Sequence, residues 1–213
     1  MLSTRLQMIF DIIPTDSTVV DVGCDHAYLA IELIKQKKSS KVYALDNKKG
    51  PLNQAKINVE QENLVNQVDL VLMDGLSDFK ENVDTVVIAG MGVETAIEIL
   101  ENSYQDLKQF SQIVIQVNKN AERIREWIAG RGFYILDEDI CFEDFYYQVI
   151  VFTTHKKGSY SREELLLGPM LLQKKKDCYF EFIKNEIKKI DFILVHRNDD
   201  ELKKKRLIYS TLV

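Results

Sequence analysis
The residues best suited to chemistry lie between Val19 and Tyr28, VVDVGCDHAY, where a buried type of strand breaks into a short polar loop. Gly23 lets the backbone turn and a ligand come close, and Asp25 adds an unprotected carboxylate. Two more acids close strand-like runs: Asp46 after Lys41 to Leu45, and Asp74 with Gly75 after Val68 to Met73. A carboxylate about 20 residues past the first loop suits the two hydroxyls of a ribose, or else caps a helix. The Asp74 and Gly75 pair suits a purine. The first loop lacks the GxGxxG that seats a pyrophosphate at a helix N-terminus. A bulky acidic loop instead suits a cationic ligand. S-adenosylmethionine carries a sulfonium and an ammonium, no phosphate, and the ribose and adenine that Asp46 and Asp74 would contact.

Cys24 and His26 stand two apart without distant partners, which reads as loop packing, so no metal is expected. Cys24, Cys141 and Cys178 are too scattered for a disulfide framework or a zinc site and are expected as free thiols.

The elements that must position these groups alternate. Leu2, Leu6, Ile9, Phe10 and Ile13 form the apolar face of a lid or edge helix that Pro14 ends. Strands are predicted at Thr18 to Val22, Lys41 to Leu45, Val68 to Met73, Thr85 to Ala89 and Ile113 to Gln116. Helices follow the first, second, fourth and fifth, one opened by Pro51 at its first position and one, Ala121 to Ala129, stopped by Gly130. Gly90, Met91 and Gly92 read as a flexible turn. Phe133 to Ile140 and Tyr146 to Thr154 read as an antiparallel edge hairpin. Its aromatic residues Phe142, Phe145, Tyr146 and Tyr147 are either a stacking platform for RNA or ordinary core.

Beyond Lys156 the chain turns helical. Ser161 and Glu164 make a capping box, Gly168 and Pro169 interrupt, and Phe180, Ile183, Ile187, Ile190 and Leu194 follow a coiled-coil spacing. With a second helix at about residues 200–212, this is a short helical hairpin. The division expected is a cofactor domain over residues 1–157 and a basic helical domain over 158–213. Residues 1–150 hold 14 Lys and Arg against 24 Asp and Glu, whereas residues 151–213 hold 14 against 9. A basic tail on an acidic body points to an anionic partner, or else to a solvated lysine-rich helix. The sequence has no apolar run long enough for a membrane span and no signal-peptide pattern at its start, so a cytoplasmic protein is expected.

Taken together, DVGCDHAYL, the Asp46 strand end with GPLNQA after it, MDGL, IAGMG, the Gln116 to Asn118 strand end and the GPML tail resemble the bacterial tRNA (adenine-22, N1)-methyltransferases, the TrmK family. The resemblance spans nearly the whole chain. It implies a Rossmann-like class I methyltransferase sheet, a C-terminal helical hairpin that assists tRNA binding, and transfer to N1 of a D-loop adenine. The chain departs from the family where Val93 replaces a glycine and Val117 a proline. It also lacks the NPPY-type tetrapeptide with which many exocyclic-amine methyltransferases grip their target.

On this reading Asp25 is the candidate catalytic residue. The candidate cofactor contacts are Gly23, Cys24, Asp25, His26, Asp46, Asn47, Asp74, Gly75, Ala89 and Gly90. Candidate RNA contacts are Tyr28, Met91, Gly92 and Asn118 near the cleft, and Lys174, Lys175, Lys176, Lys203, Lys204, Lys205 and Arg206 in the tail. Tyr28 either stacks on a ligand or covers the sheet end. Two other classes stay open on the residues alone: a small-molecule methyltransferase, and a non-catalytic RNA-binding module on a cofactor-type fold.

Overall fold
The computed structural model describes residues 2–77 and 79–213. Seven strands form one sheet: β1 (Val19–Val22), β2 (Val42–Asp46), β3 (Val68–Leu72), β4 (Thr85–Met91), β5 (Gln112–Val117), β6 (Phe133–Phe142) and β7 (Tyr146–Lys157). Their order across the sheet is β3-β2-β1-β4-β5-β7-β6. The first five pair in parallel and β7 runs antiparallel between β5 and β6. The order reverses between β1 and β4, so a crevice opens at the carboxyl ends of those two strands. All four residues of β1 are buried, as a strand covered on both faces requires.

Helices α1 (Thr4–Ile12), α2 (Tyr28–Lys35) and α3 (Lys49–Gln61) cover one face, packing on Val19, Ala44, Val87 and Val114. Helices α4 (Val93–Asn102) and α5 (Ala121–Gly130) cover the other, packing on Val20, Val22, Ile88 and Ile115. Ser3 caps α1 by accepting from the Leu6 N–H at 3.3 Å, and the helix gives way before Pro14.

Several boundaries move for local reasons. Pro51 is the third residue of its helix rather than the first, because α3 begins at Lys49; its missing N–H still falls among donors that no helix satisfies. Gly130 does not stop α5. The helix runs through it, and the left-handed residue is Gly132, at φ +66°. The Gly90-Met91 segment is not a free turn but the end of β4, where the register shifts between Ala89 and Met91 and Gly90 takes φ +75°. Both strands of the edge hairpin run further than expected, to Phe142 and Lys157.

The tail comprises α6 (Arg162–Leu167), α7 (Pro169–Lys174), α8 (Asp177–His196) and α9 (Asp200–Ser210). The capping box at Ser161 and Glu164 forms in both directions. The seam of α8 is shifted from the expected one: Tyr179, not Phe180, joins Ile183 and Ile190 in the buried cluster that Tyr209 of α9 completes. What fixes the tail to the sheet is a buried ion pair. Arg125 of α5 donates to Glu138 of β6, their side chains 1% and 0% exposed. Glu138 also accepts from the Met170 N–H at 2.9 Å, and its backbone carbonyl accepts from Lys174 Nζ at 2.7 Å. A Cβ on Gly168 would lie 2.9 Å from both members of the pair, so only glycine lets the chain pass over it.

A buried pair robbed of one partner leaves an uncompensated charge, which costs about 3–5 kcal/mol, whereas an apolar replacement of both is far milder. Glu138→Ala is therefore expected to lower the melting temperature by on the order of 10 °C. The double variant Arg125→Met/Glu138→Leu should recover most of that loss in the same thermal scan.

Candidate active site
The β1–α2 loop is held in an unusual shape by the end of β2. The N–H groups of Gly23 and Cys24 both donate to the Leu45 carbonyl, at 2.8 and 2.9 Å. The Asp25 N–H donates to Asp46 Oδ2 at 3.3 Å, and Asp46 Oδ1 accepts from the Lys48 N–H at 2.9 Å. Asn58 of α3 donates to the His26 carbonyl at 2.9 Å. Within these restraints Gly23, Asp25 and Ala27 all take positive φ, of 74°, 51° and 59°. A Cβ at Gly23 would lie 2.3 Å from the Met91 methyl, so the glycine also serves close packing against β4.

Two cavities meet at this loop. The larger, about 500 Å³, is lined by Gly23, Asp25, Asp46, Asn47, Asp74, Gly75 and Met91, and also by Lys48, Ser77, Thr95, Glu98 and Asn102. Its volume falls in the range of pockets that enclose a cofactor-sized ligand. Asn47 Nδ2 donates to Asp74 Oδ1 at 3.0 Å and so fixes the acid at the far end. Each Asp46 oxygen accepts one backbone N–H and keeps a further lone pair for a hydroxyl.

The smaller cavity, about 220 Å³, is lined by Arg5, Asp21, Gly23, Cys24, Asp25, His26, Tyr28, Ala89 and Gly90. Gly23 and Asp25 belong to both cavities, so the loop acid stands where they join. Its carboxylate lies 3.3 Å from His26 Nε2, and His26 Nδ1 lies 3.4 Å from the Tyr28 hydroxyl. Burial, reinforced by Asp21, Asp46 and Asp25, holds the Cys24 thiol protonated well above its usual range. It is a packed thiol and not a nucleophile.

Arg5 and Asp21 are site residues that the sequence reading missed. Asp21 lies in β1 with its side chain buried, and Arg5 of α1 lines the same cavity. Arg5 also donates to Gln116 Oε1 at 2.9 Å, and that same oxygen accepts from the Gly90 N–H at 3.0 Å. Gln116 Nε2 is buried without a partner among the described residues. The available signals were a charged residue inside a valine strand and an arginine beside an apolar helix face.

Other expected contacts fall outside the cavities. Asn118 donates to the Gly90 carbonyl at 3.2 Å, and Gly92 is the N-cap of α4. Lys174 pairs with Asp137 and Lys176 with Asp139 on β6, while Lys205 pairs with Glu122 on α5. Lys203, Lys204 and Arg206 pair with Asp200, Glu201 and Asp191 within the tail. The basic stretches are thus largely neutralised by carboxylates. Among the described residues no group of three or more His, Cys, Asp or Glu could hold a metal ion. None of the described helices is long and apolar enough to cross a membrane.

The parallel sheet with its antiparallel insertion, and a cleft at the switch point lined by strand-end acids, define a Rossmann-like methyltransferase. The comparisons narrow the class. The family described as tRNA (adenine(22)-N(1))-methyltransferase, TrmK, matches residues 19–212, and the chain belongs to it. The Bacillus subtilis tRNA (adenine(22)-N(1))-methyltransferase is 32% identical over 187 residues, covering 84% of this chain and 79% of the relative. The structure of M. capricolum TrmK in complex with S-adenosyl-homocysteine superimposes with a TM-score of 0.84 at 29% identity, over 100% of this chain and 96% of that one. The B. subtilis m1A22 tRNA methyltransferase structure gives 0.83 at 28%, over 99% and 95%.

Burial pushes the Asp21 carboxyl up to about 7 from an ordinary 3.8, a rise that Arg5 opposes and Asp46 reinforces. The folded chain therefore keeps this proton through a range in which the unfolded chain has lost it, so the group's contribution to stability falls as pH rises from about 4 to 7. Asp21→Asn removes that penalty. Its melting temperature should match wild type near pH 4, rise above it progressively to pH 7 and then level off, with a gain of about 2–4 kcal/mol. A gain independent of pH would mean that Asp21 is not the titrating group.

Proposed function
We propose that this chain transfers a methyl group from S-adenosylmethionine to ring N1 of adenine 22 in tRNA, with Asp25 orienting the base. The observation that carries the reading is the position of Asp25 at the junction of two cavities, one lined by ribose- and purine-type contacts and the other by a buried acid and an arginine. When bound, S-adenosylmethionine supplies an electrophilic methyl on a sulfonium. Asp46 accepts from the ribose hydroxyls and Asp74 from the adenine amine of the cofactor. In the smaller cavity Asp21 faces the ammonium and Arg5 the carboxylate of the methionine end.

Adenine N1 has a free lone pair, so no residue has to remove a proton before transfer, and positioning is the main demand. As the methyl arrives, positive charge spreads from N1 to the exocyclic amine. Asp25 accepts from that amine and stabilises the charge as it forms. Tyr28, Met91, Gly92 and Asn118 form the rim that meets the target nucleotide. Residues 1–157 carry the chemistry and the contacts to the target nucleotide, and 158–213 add RNA contacts, in a protein working in the cytoplasm where tRNA is.

Labelled S-adenosylmethionine with unmodified tRNA should give incorporation that vanishes when adenine 22 is replaced by guanine. Incorporation into small molecules but never into tRNA would overturn the assignment. Asp25→Asn keeps the shape of the loop acid and deletes its charge. It should lower turnover by about 100-fold or more while tRNA affinity holds, and a loss traceable wholly to cofactor affinity would make Asp25 a binding residue instead.

The tail makes a separate demand. Replacing Lys174, Lys175 and Lys176 together by alanine should weaken tRNA binding and flatten its dependence on salt, because fewer counterions are released. Cofactor affinity, measured by calorimetry, should stay unchanged.

A further inference from the structure
The tip of the β6–β7 hairpin presents large aromatic rings to solvent beside the cleft. Phe142 is 55% exposed and Phe145 66%, whereas the middle of the same hairpin is core. The register shows where the tip lies. Val117, at the carboxyl end of β5, pairs with Gln148, and Phe142 pairs with Tyr146 two residues further out. The tip therefore projects past the carboxyl edge of the sheet, the edge at which both cavities open. It is also tied to the wall of the smaller cavity: the Thr4 N–H donates to Glu143 Oε1 at 2.9 Å, and the next residue, Arg5, lies 5.8 Å from the Tyr147 ring centroid.

The Phe142 ring is braced from behind. Phe142 meets Tyr146 at 4.9 Å between centroids, and Tyr146 meets Phe182 of α8 at 5.6 Å in an edge-on arrangement. Two apolar rings at a rim, one of them, Phe142, packed from behind, have few suitable occupants. Two side chains are far too small a patch for a stable dimer, which buries about 1,200–2,000 Å². A nucleobase is the right size, and every base has a face that stacks on an aromatic ring. The neighbouring Asp144 is exposed and acidic, which favours a base over a phosphate at this point.

We infer that Phe142 and Phe145 form a stacking platform for an unpaired base of the tRNA flanking the methylated adenine. The inference rests on the tRNA reading above and adds a second point of contact on the hairpin side of the cleft. A platform of this kind pays out in substrate affinity and not in chemistry, and because it reads a base face its contribution does not vary with salt as the lysines' does.

The test compares wild type with Phe142→Leu/Phe145→Leu, which stays apolar but cannot stack, and with Phe142→Tyr/Phe145→Tyr, which can. Expected for the leucine variant is a KM for tRNA raised roughly tenfold or more, with turnover at saturating tRNA, cofactor affinity and the salt slope all held. The tyrosine variant should return KM to near the wild-type value. A leucine variant with wild-type KM overturns the platform. A raised KM accompanied by a change in sedimentation from dimer to monomer overturns it too, assigning the patch to self-association. Wild-type turnover is read in parallel on the same tRNA, so failure of the functional reading shows as absent wild-type methylation, and failure of the platform shows as an indifferent leucine variant.

Discussion
The site depends on one carbonyl. Leu45, the penultimate residue of β2, accepts from both Gly23 and Cys24, and Asp46 beside it takes the Asp25 N–H. Those bonds, with the Ala27 N–H to the Cys24 carbonyl and Asn58 to the His26 carbonyl, keep Asp25 and Ala27 in left-handed conformations, each of which costs about 1–2 kcal/mol for a residue with a Cβ. The strain is local and most of the restraint comes from the neighbouring strand, so the loop shape owes more to the end of β2 than to the loop's own sequence. The functional consequence is that Asp25 sits at the junction of the two cavities before any ligand arrives. An acid whose role is to orient a base gains most from such preorganisation.

What the sequence revealed follows from what sequence records. Strand-end acids such as Asp46 and Asp74 are legible because the run of apolar residues before each fixes where the strand stops, and the fold then brings all such ends to one edge. The alternation of elements is legible for the same reason. Phase and partnership are not. Phe180 and Tyr179 are adjacent and both aromatic, and only the approach of α8 to β6 decides which is buried. Likewise Gly130 and Gly132 both suit a helix end, and the chain keeps Gly130 as the last helical residue and turns left-handed at Gly132.

Arg5 and Asp21 escaped for a deeper reason. Each is ordinary in its own segment, and their meaning lies in their meeting at a cavity with Gly90 and His26, which no local spacing encodes. The burial of Asp21 is a standing cost to the fold. A carboxyl that stays protonated to about pH 7 is destabilised as a charge, and an ammonium brought beside it relieves that penalty. If the cofactor's ammonium lies there as proposed above, its binding would weaken as pH falls below neutral, because a proton competes for the same carboxylate.

The charge split between body and tail acquires a different sense once the partners are known. The tail's lysines suit either an anionic partner or a solvated helix face, and Lys174 and Lys176 rest on acids of β6 and Lys205 on an acid of α5. The pair made by the exposed Lys176 is worth little, about 0–1 kcal/mol, so exchanging its carboxylate for a phosphate costs little. The cleft itself offers Asp21, Asp25, Asp46, Asp74 and Glu98 against Arg5 and Lys48. Such a cleft attracts a cationic cofactor and repels a phosphate backbone. On the function proposed above, RNA would enter the cleft by its bases while its phosphates meet the tail, a separation that suits a reaction on a ring nitrogen at the edge of one base.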